Sequence, residues 1–192
     1  MRQSLLILVL AVITIGMYAT PVGAQTTPAP APVPGPVVVT VPAAATADVA
    51  SIDAIVAALY DVISGPAGKP RDWARMRSLF IPGGRLMPTS PRQGAVAMRV
   101  LEVNDYIALS GPYLERIGFR ERELARRTEQ FGPIAHVFST YEGRNEVDTT
   151  VLRGINSIQL MNDGARWWVV SVFWTGEGSD NPIPSKYLQA SP

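Results

Sequence analysis

A single histidine, His136, stands in a chain of 192 residues that has no cysteine. It lies within Ile134-Ala135-His136-Val137-Phe138-Ser139-Thr140, whose alternation places it on one side with Ile134, Phe138 and Thr140. If Phe131-Gly132 form a two-residue turn, the preceding segment folds back so that Arg127 faces His136, Ala125 faces Phe138 and Glu123 faces Thr140. A carboxylate, a guanidinium and an imidazole would then share one face of a sheet. An imidazole oriented by a carboxylate can act as a general base near neutral pH, so His136 and Glu123 are the catalytic candidates. The same register sets Glu121 against Glu142, an unfavourable like-charge pair, and a hydrogen-bonded structural histidine fits the pattern better. Arg127, His136 and Asn156 are ligand-binding candidates.

Other chemistry finds little support. One histidine, no cysteine and no Asp/Glu cluster at ligand spacing argue against a metal site. No serine occupies a nucleophile elbow, and no glycine-rich loop follows a strand to cradle phosphate, so no cofactor is expected. Arg120, Arg122, Arg126 and Arg127 interleave with glutamates, which reads as a solvated face. The chain carries 17 Lys+Arg and 16 Asp+Glu. Loss of residues 1–24, which contain only Arg2 among these, would leave the two signs equal, and nucleic acid is not an expected partner.

The elements that must position these residues follow a leader and a spacer. Met1-Arg2-Gln3-Ser4 is a short basic start, and Leu5 to Met17 is apolar but shorter than the roughly 20 residues a spanning helix needs. Val22-Gly23-Ala24 offers small residues where a signal peptidase cuts, so residues 1–24 read as a signal peptide and Gln25 as the mature terminus. Residues 25–47 alternate proline with Ala, Val and Thr, a disordered spacer favouring extended polyproline-like conformers. The expected location is secreted or periplasmic. A folded domain is expected over 48–180 and an extended segment over 181–192, docked through Ile183, Tyr187 and Leu188.

Within the domain, Ile52, Ile55, Val56, Leu59, Tyr60 and Ile63 recur at helical steps, with Asp48 or Ser51 as cap and Gly65-Pro66 as stop. Trp73, Met76, Leu79 and Phe80 predict a second helix ending at Pro82-Gly83-Gly84. Ala95 to Val103 reads as a strand, and Asp105 to Ile117 as a helix interrupted near Gly111-Pro112. Ile134 to Arg144, Gly154 to Met161 and Arg166 to Thr175 are β-rich. A two-residue Asp163-Gly164 turn would pair Leu160 with Trp167, Ile158 with Val169 and Asn156 with Ser171. Ser157, Gln159, Trp168, Val170, Val172 and Trp174 would then occupy the other face. Helices first and antiparallel strands later is an α+β pattern. Phe119 to Gln130 is helix by propensity and strand by its flanking turns.

The long first helix, the Trp/Leu/Phe-bearing second helix and the meander ending in Asp163-Gly164-Ala165-Arg166-Trp167-Trp168-Val169-Val170 resemble the nuclear transport factor 2-like superfamily, in its polyketide cyclase-like (SnoaL-like) branch. The resemblance spans about residues 50–176 and is one of pattern. It implies a curved antiparallel sheet wrapped around N-terminal helices, a cone-shaped, cystatin-like roll with an apolar pocket at its open end. It also implies a strand over Phe119 to Gln130. The family's ketosteroid isomerases carry a tyrosine on the first helix, which makes Tyr60 a fourth ligand-binding candidate, and pocket acids for which no Asp or Glu of this chain is matched. Its scytalone dehydratases use two histidines, and this chain has one. The fold hosts many functions. The expectation is an exported domain that binds a small apolar ligand or a partner chain in or around the cone pocket without catalysis. The alternative is a lyase or isomerase with His136 or a pocket carboxylate as general base. A homodimer through the sheet is a further expectation of the resemblance.

Overall fold

The computed structural model describes residues 41–92 and 94–189; the leader expected over 1–24, the spacer as far as residue 40 and the last three residues lie outside them. A single turn, α1 (Thr46–Val49), precedes the long helix α2 (Ile52–Ile63). Ser51 caps α2, its hydroxyl accepting from the Ala54 amide at 3.0 Å. Asp48 instead holds Arg75 of α3 (Trp73–Leu79) through two hydrogen bonds of 2.7 and 2.9 Å. Asp72 caps α3. The loop between the helices is organised by Arg71, which is 7% exposed. Its guanidinium donates to the carbonyls of Ile63, Gly65, Pro66, Lys69 and Leu114 at 2.6 to 3.2 Å, supplying donors to backbone oxygens left open where α2 ends.

Strand β1 (Phe80–Arg92) was not legible in the sequence, because Pro82, Pro88 and Pro91 argue against a ladder. It pairs in parallel with the last strand, so the sheet is mixed and not purely antiparallel. The single strand expected over Ala95 to Val103 is two short ones, β2 (Ala95–Met98) and β3 (Leu101–Glu102). Val103 already belongs to α4 (Val103–Ile117), which opens on a capping box made by Glu102 and Asp105. This helix continues through Gly111-Pro112 without the expected interruption. A Cβ at Gly111 would stand 3.1 Å from the Trp73 ring, and Trp73 Nε1 donates to Glu115 at 3.0 Å. The missing side chain thus lets α3 and α4 meet, and that packing compensates for the bond proline cannot make.

Four long antiparallel strands complete the curved, unclosed sheet: β4 (Phe119–Phe131), β5 (Ile134–Asn145), β6 (Val151–Asn162) and β7 (Trp167–Gly176). The order is β2-β1-β7-β6-β5-β4, with β3 also on β1. The β4 segment is therefore the strand that the family resemblance implied. Two expected registers are corrected. Phe131 pairs with Ile134, so the turn residues are Gly132-Pro133 and His136 faces Glu129, while Arg127 faces Phe138. On β6 and β7 the loop is four residues, Asp163 to Arg166, because the Asp163 carboxylate accepts from the Ala165 and Arg166 amides at 2.9 Å. Leu160 pairs with Val169, Ile158 with Val172 and Asn156 with Trp174.

The β4–β5 and β6–β7 hairpins each also have an irregularity that exchanges their faces part-way. Between Glu123 and Ala125 one extra residue turns Glu121 and Glu123 inward, opposite Gly143 and Tyr141. Arg122 then meets Glu142 in a 3.1 Å ion pair, and the unfavourable Glu121–Glu142 pairing does not arise. Between Leu160 and Gln159 a second shift turns Val172 and Trp174 to the side of Ile158 and Asn156. The core lies between this concave side and the helices, with Ile55, Val56, Leu79, Phe80, Val137, Ile158, Leu160 and Val169 almost wholly buried.

Candidate functional site

The concave side does not fill completely. A cavity of about 280 Å³ remains between α2, α4 and the outer half of the sheet, walled by Leu59, Ile63, Met76, Leu114, Phe119, Ile158 and Val172. Its polar groups include Tyr60, Tyr106, Ser110, Tyr113, Tyr141, Asn156 and Glu121. The end of α2 positions Glu121. Ser64 donates its hydroxyl to the Tyr60 carbonyl at 2.7 Å and accepts from the Glu121 amide at 2.8 Å, and the Gly65 amide donates to the Phe119 carbonyl at 2.8 Å. Strand and helix are therefore tied at the residue that carries the carboxyl.

Among the described residues Glu121 has no ion-pair partner; its nearest donor is the Asn156 amide nitrogen, 3.5 Å away. Burial among apolar side chains pushes its carboxyl up to about 7, from an ordinary 4.5, and the Asn156 contact opposes this only in part. Burial also raises the phenols of Tyr60, Tyr106 and Tyr141 above their usual range, and the Glu121 charge adds to the effect. The hydroxyls of Tyr106 and Tyr141 have no hydrogen-bond partner among the described residues. Tyr106 packs edge-on to Trp174 at 6.2 Å, and Tyr141 rests against Gly154, where a Cβ would come 2.4 Å from its hydroxyl. A chain of hydrogen bonds leads away from the cavity: Asn156 to Tyr60 at 3.1 Å, Tyr60 to Ser139 at 2.7 Å, and Ser139 to Glu123. Glu123 ends it, paired with Arg126 at 2.6 Å.

The candidates read from sequence divide between the two sides of the sheet. Tyr60 and Asn156 line the cavity, and Glu123 sits one step behind it. His136 and Arg127 are on the opposite side. His136 Nε2 lies 2.9 Å from the Ser157 hydroxyl, and Arg127 donates to the Lys186 carbonyl at 3.0 Å. The trio expected on one face is not assembled, because the irregularity in β4 carries Glu123 through to the other side. Glu121, Tyr106 and Tyr141 were not singled out in the sequence. The one trace of Glu121's position was the like-charge pairing with Glu142 that the simple register demanded.

A second groove, of about 470 Å³, lies on the convex side between Phe138, Ile155 and Phe173 and the tail residues Pro182, Ile183 and Tyr187. The tail returns over this side: Thr140 donates to the Tyr187 carbonyl at 2.6 Å, and the Tyr187 ring stands edge-on to Phe138 at 5.0 Å. Leu188 remains 40% exposed. The groove's carboxylate, Glu177, is already paired with Arg153 at 3.2 Å, so the smaller concave cavity is the stronger chemical candidate. Among the described residues no group of three His, Asp or Glu side chains is placed to hold a metal ion, and no helix is long and apolar enough to cross a membrane.

No protein-family model and no curated protein sequence matches the chain. Solved structures do. A protein of unknown function with a cystatin-like fold from Nostoc punctiforme is similar with a TM-score of 0.50 at 12% identity, over 67% of this chain and 90% of that one. The Kfla4162 protein of Kribbella flavida is similar with a TM-score of 0.51 at 11% identity, over the same shares. An NTF2-like protein of unknown function from Methylobacillus flagellatus reaches a TM-score of 0.44 at 13% identity, over 67% and 95%. The concave mixed sheet, the enclosed helices and the first two of these neighbours together give the chain a cystatin-like fold.

Proposed function

We propose that this domain binds a small, mainly apolar molecule in its concave cavity, with Glu121 meeting the molecule's polar group, and that it does so outside the cytoplasm after loss of residues 1–24. The observation that carries the binding reading is a carboxyl without a counter-ion in an apolar cavity. Burying a carboxyl unpaired is unfavourable, and a ligand group that hydrogen-bonds it would offset that penalty. The cavity's 280 Å³ falls near the small end of the range for ligand pockets, about 300–1,000 Å³. The leader's length and its small-residue ending support export. Native mass spectrometry of protein recovered from its own cell envelope tests binding: wild type should carry a small-molecule adduct that a cavity-filling Leu59→Trp variant lacks. Bare-chain masses for both would refute it.

One observation favours a second reading, proton transfer by a lyase or isomerase of the polyketide cyclase-like kind. A carboxyl titrating near 7 can both take and return a proton at neutral pH, as a general base must. Glu121, and not His136, would be that base. Turnover should then rise with pH through about 7 and vanish in Glu121→Gln; turnover that survives the substitution would exclude Glu121.

A further inference from the structure

The hydrogen-bond chain behind the cavity has a direction, and the direction decides what the cavity floor presents. Glu123 pairs with Arg126 at 2.6 Å, and a carboxylate in such a pair only accepts. Ser139 donates its one proton to Glu123. The Ser139 oxygen can therefore only accept from Tyr60, 2.7 Å away. Tyr60, having donated to Ser139, accepts from Asn156 at 3.1 Å. That fixes the Asn156 amide with its nitrogen toward Tyr60 and Glu121. Its oxygen has no donor among the described residues, and Asn156 is one of the residues that line the cavity. The floor thus offers a ligand the Glu121 carboxylate and the Asn156 oxygen as acceptors, beside the hydroxyls of Tyr106 and Tyr141, which can accept as well as donate. Around them stand the aromatic residues Tyr106, Tyr113, Phe119, Tyr141 and Trp174, and no lysine, arginine or histidine lines the cavity.

We propose, building on the ligand-binding reading above, that this cavity recognises a lipophilic primary ammonium: an apolar organic amine whose charged nitrogen donates to Glu121 and Asn156 while its body lies against the aromatic wall. A primary ammonium carries three donors and no acceptor, the complement of an acceptor floor. Aromatic side chains attract a cation once water is excluded. A neutral alcohol brings one donor and leaves the carboxylate charge uncompensated, and an anion would be repelled. The titratable groups facing Glu121 are Tyr60 from α2, Tyr106 from α4, Tyr141 from β5 and Glu123 on its own strand. The three phenols are neutral at about pH 8 as any phenol is, burial raises them further, and Glu123 is matched by Arg126. Glu121 alone among them supplies an unmatched charge to the ligand.

Isothermal titration of the purified exported protein with 2-phenylethylamine and with 2-phenylethanol, at about pH 8, tests this. The amine should bind about ten- to a hundredfold more tightly than the alcohol, the range expected for hydrogen bonds to a charged group. Glu121→Gln should abolish that preference. Equal binding of amine and alcohol, no binding of either, or a preference that survives Glu121→Gln would overturn the proposal. The cavity-filling Leu59→Trp separates the two levels of the reading. If amine and alcohol bind alike and Leu59→Trp abolishes both, the cavity is a ligand site without ammonium selectivity. If Leu59→Trp leaves amine binding unchanged, the amine sits elsewhere and both readings fall.

Discussion

Replacing Glu121 by glutamine should stabilise the protein above neutral pH and leave its stability in acid nearly unchanged. Burial raises the folded-state carboxyl from an ordinary 4.5 to about 7, so between those values the folded chain holds more protons than the unfolded one. By linkage, the stability that comes from protonating Glu121 is fully present below about pH 4.5 and is lost as pH rises through about 7. The gap, at about 1.36 kcal/mol for each pH unit, amounts to roughly 3 kcal/mol as an upper limit. Glutamine mimics the protonated acid and does not titrate. Urea unfolding of wild type and Glu121→Gln at intervals from pH 4 to 8.5 gives a difference curve in which other ionisations cancel. That difference should be near zero at pH 4, grow through pH 5–7 and level off with the variant about 2–3 kcal/mol more stable. Parallel curves, or a variant less stable at pH 8, would show that Glu121 is solvated or paired, and the reasoning about an unmatched buried charge would fail.

Arg71→Met should destabilise by about 3 kcal/mol, because five carbonyls lose their donor at once. Arg71→Lys should recover little of it, since one ammonium cannot reproduce the guanidinium fork; full recovery in thermal unfolding would refute this. His136→Ala should lower stability by only about 1 kcal/mol, since its partner Ser157 is not fully buried, and it should leave binding in the concave cavity unaltered. A variant ending at residue 180 exposes Phe138 and strips Thr140, itself 1% exposed, of its acceptor at Tyr187, so its Tm should fall by roughly 4–8 °C. An unchanged Tm would mean that the tail contributes nothing. Terminal sequencing of exported protein should begin at Gln25, and a start at Met1 would overturn the leader reading.

Much of this architecture was written in local pattern. The apolar spacing of Ile52 to Ile63 and the caps around it specify α2 wherever the rest of the chain lies, because a helix closes its hydrogen bonds within itself. The density of Trp, Val and Phe over Trp167 to Trp174 and the turn chemistry of Asp163-Gly164 marked the last hairpin for the same reason. Tyr60, singled out through the family resemblance, and Asn156 both line the cavity. The position of Glu121 was not legible in local pattern. A side chain's face in a strand depends on counting residues from the turn, and a bulge changes the count by one. The extra residue between Glu123 and Ala125 moved Glu121 and Glu123 to the concave side and left His136 and Arg127 on the convex one. Strand β1 was hidden likewise, since its three prolines violate strand preference and its place is set by pairing with the distant β7 together with β2 and β3. Residue types and helix faces are properties of short stretches of chain, and the sequence determined them; where a bulge falls depends on how the whole sheet curves around its helices, and only the tertiary structure decided that.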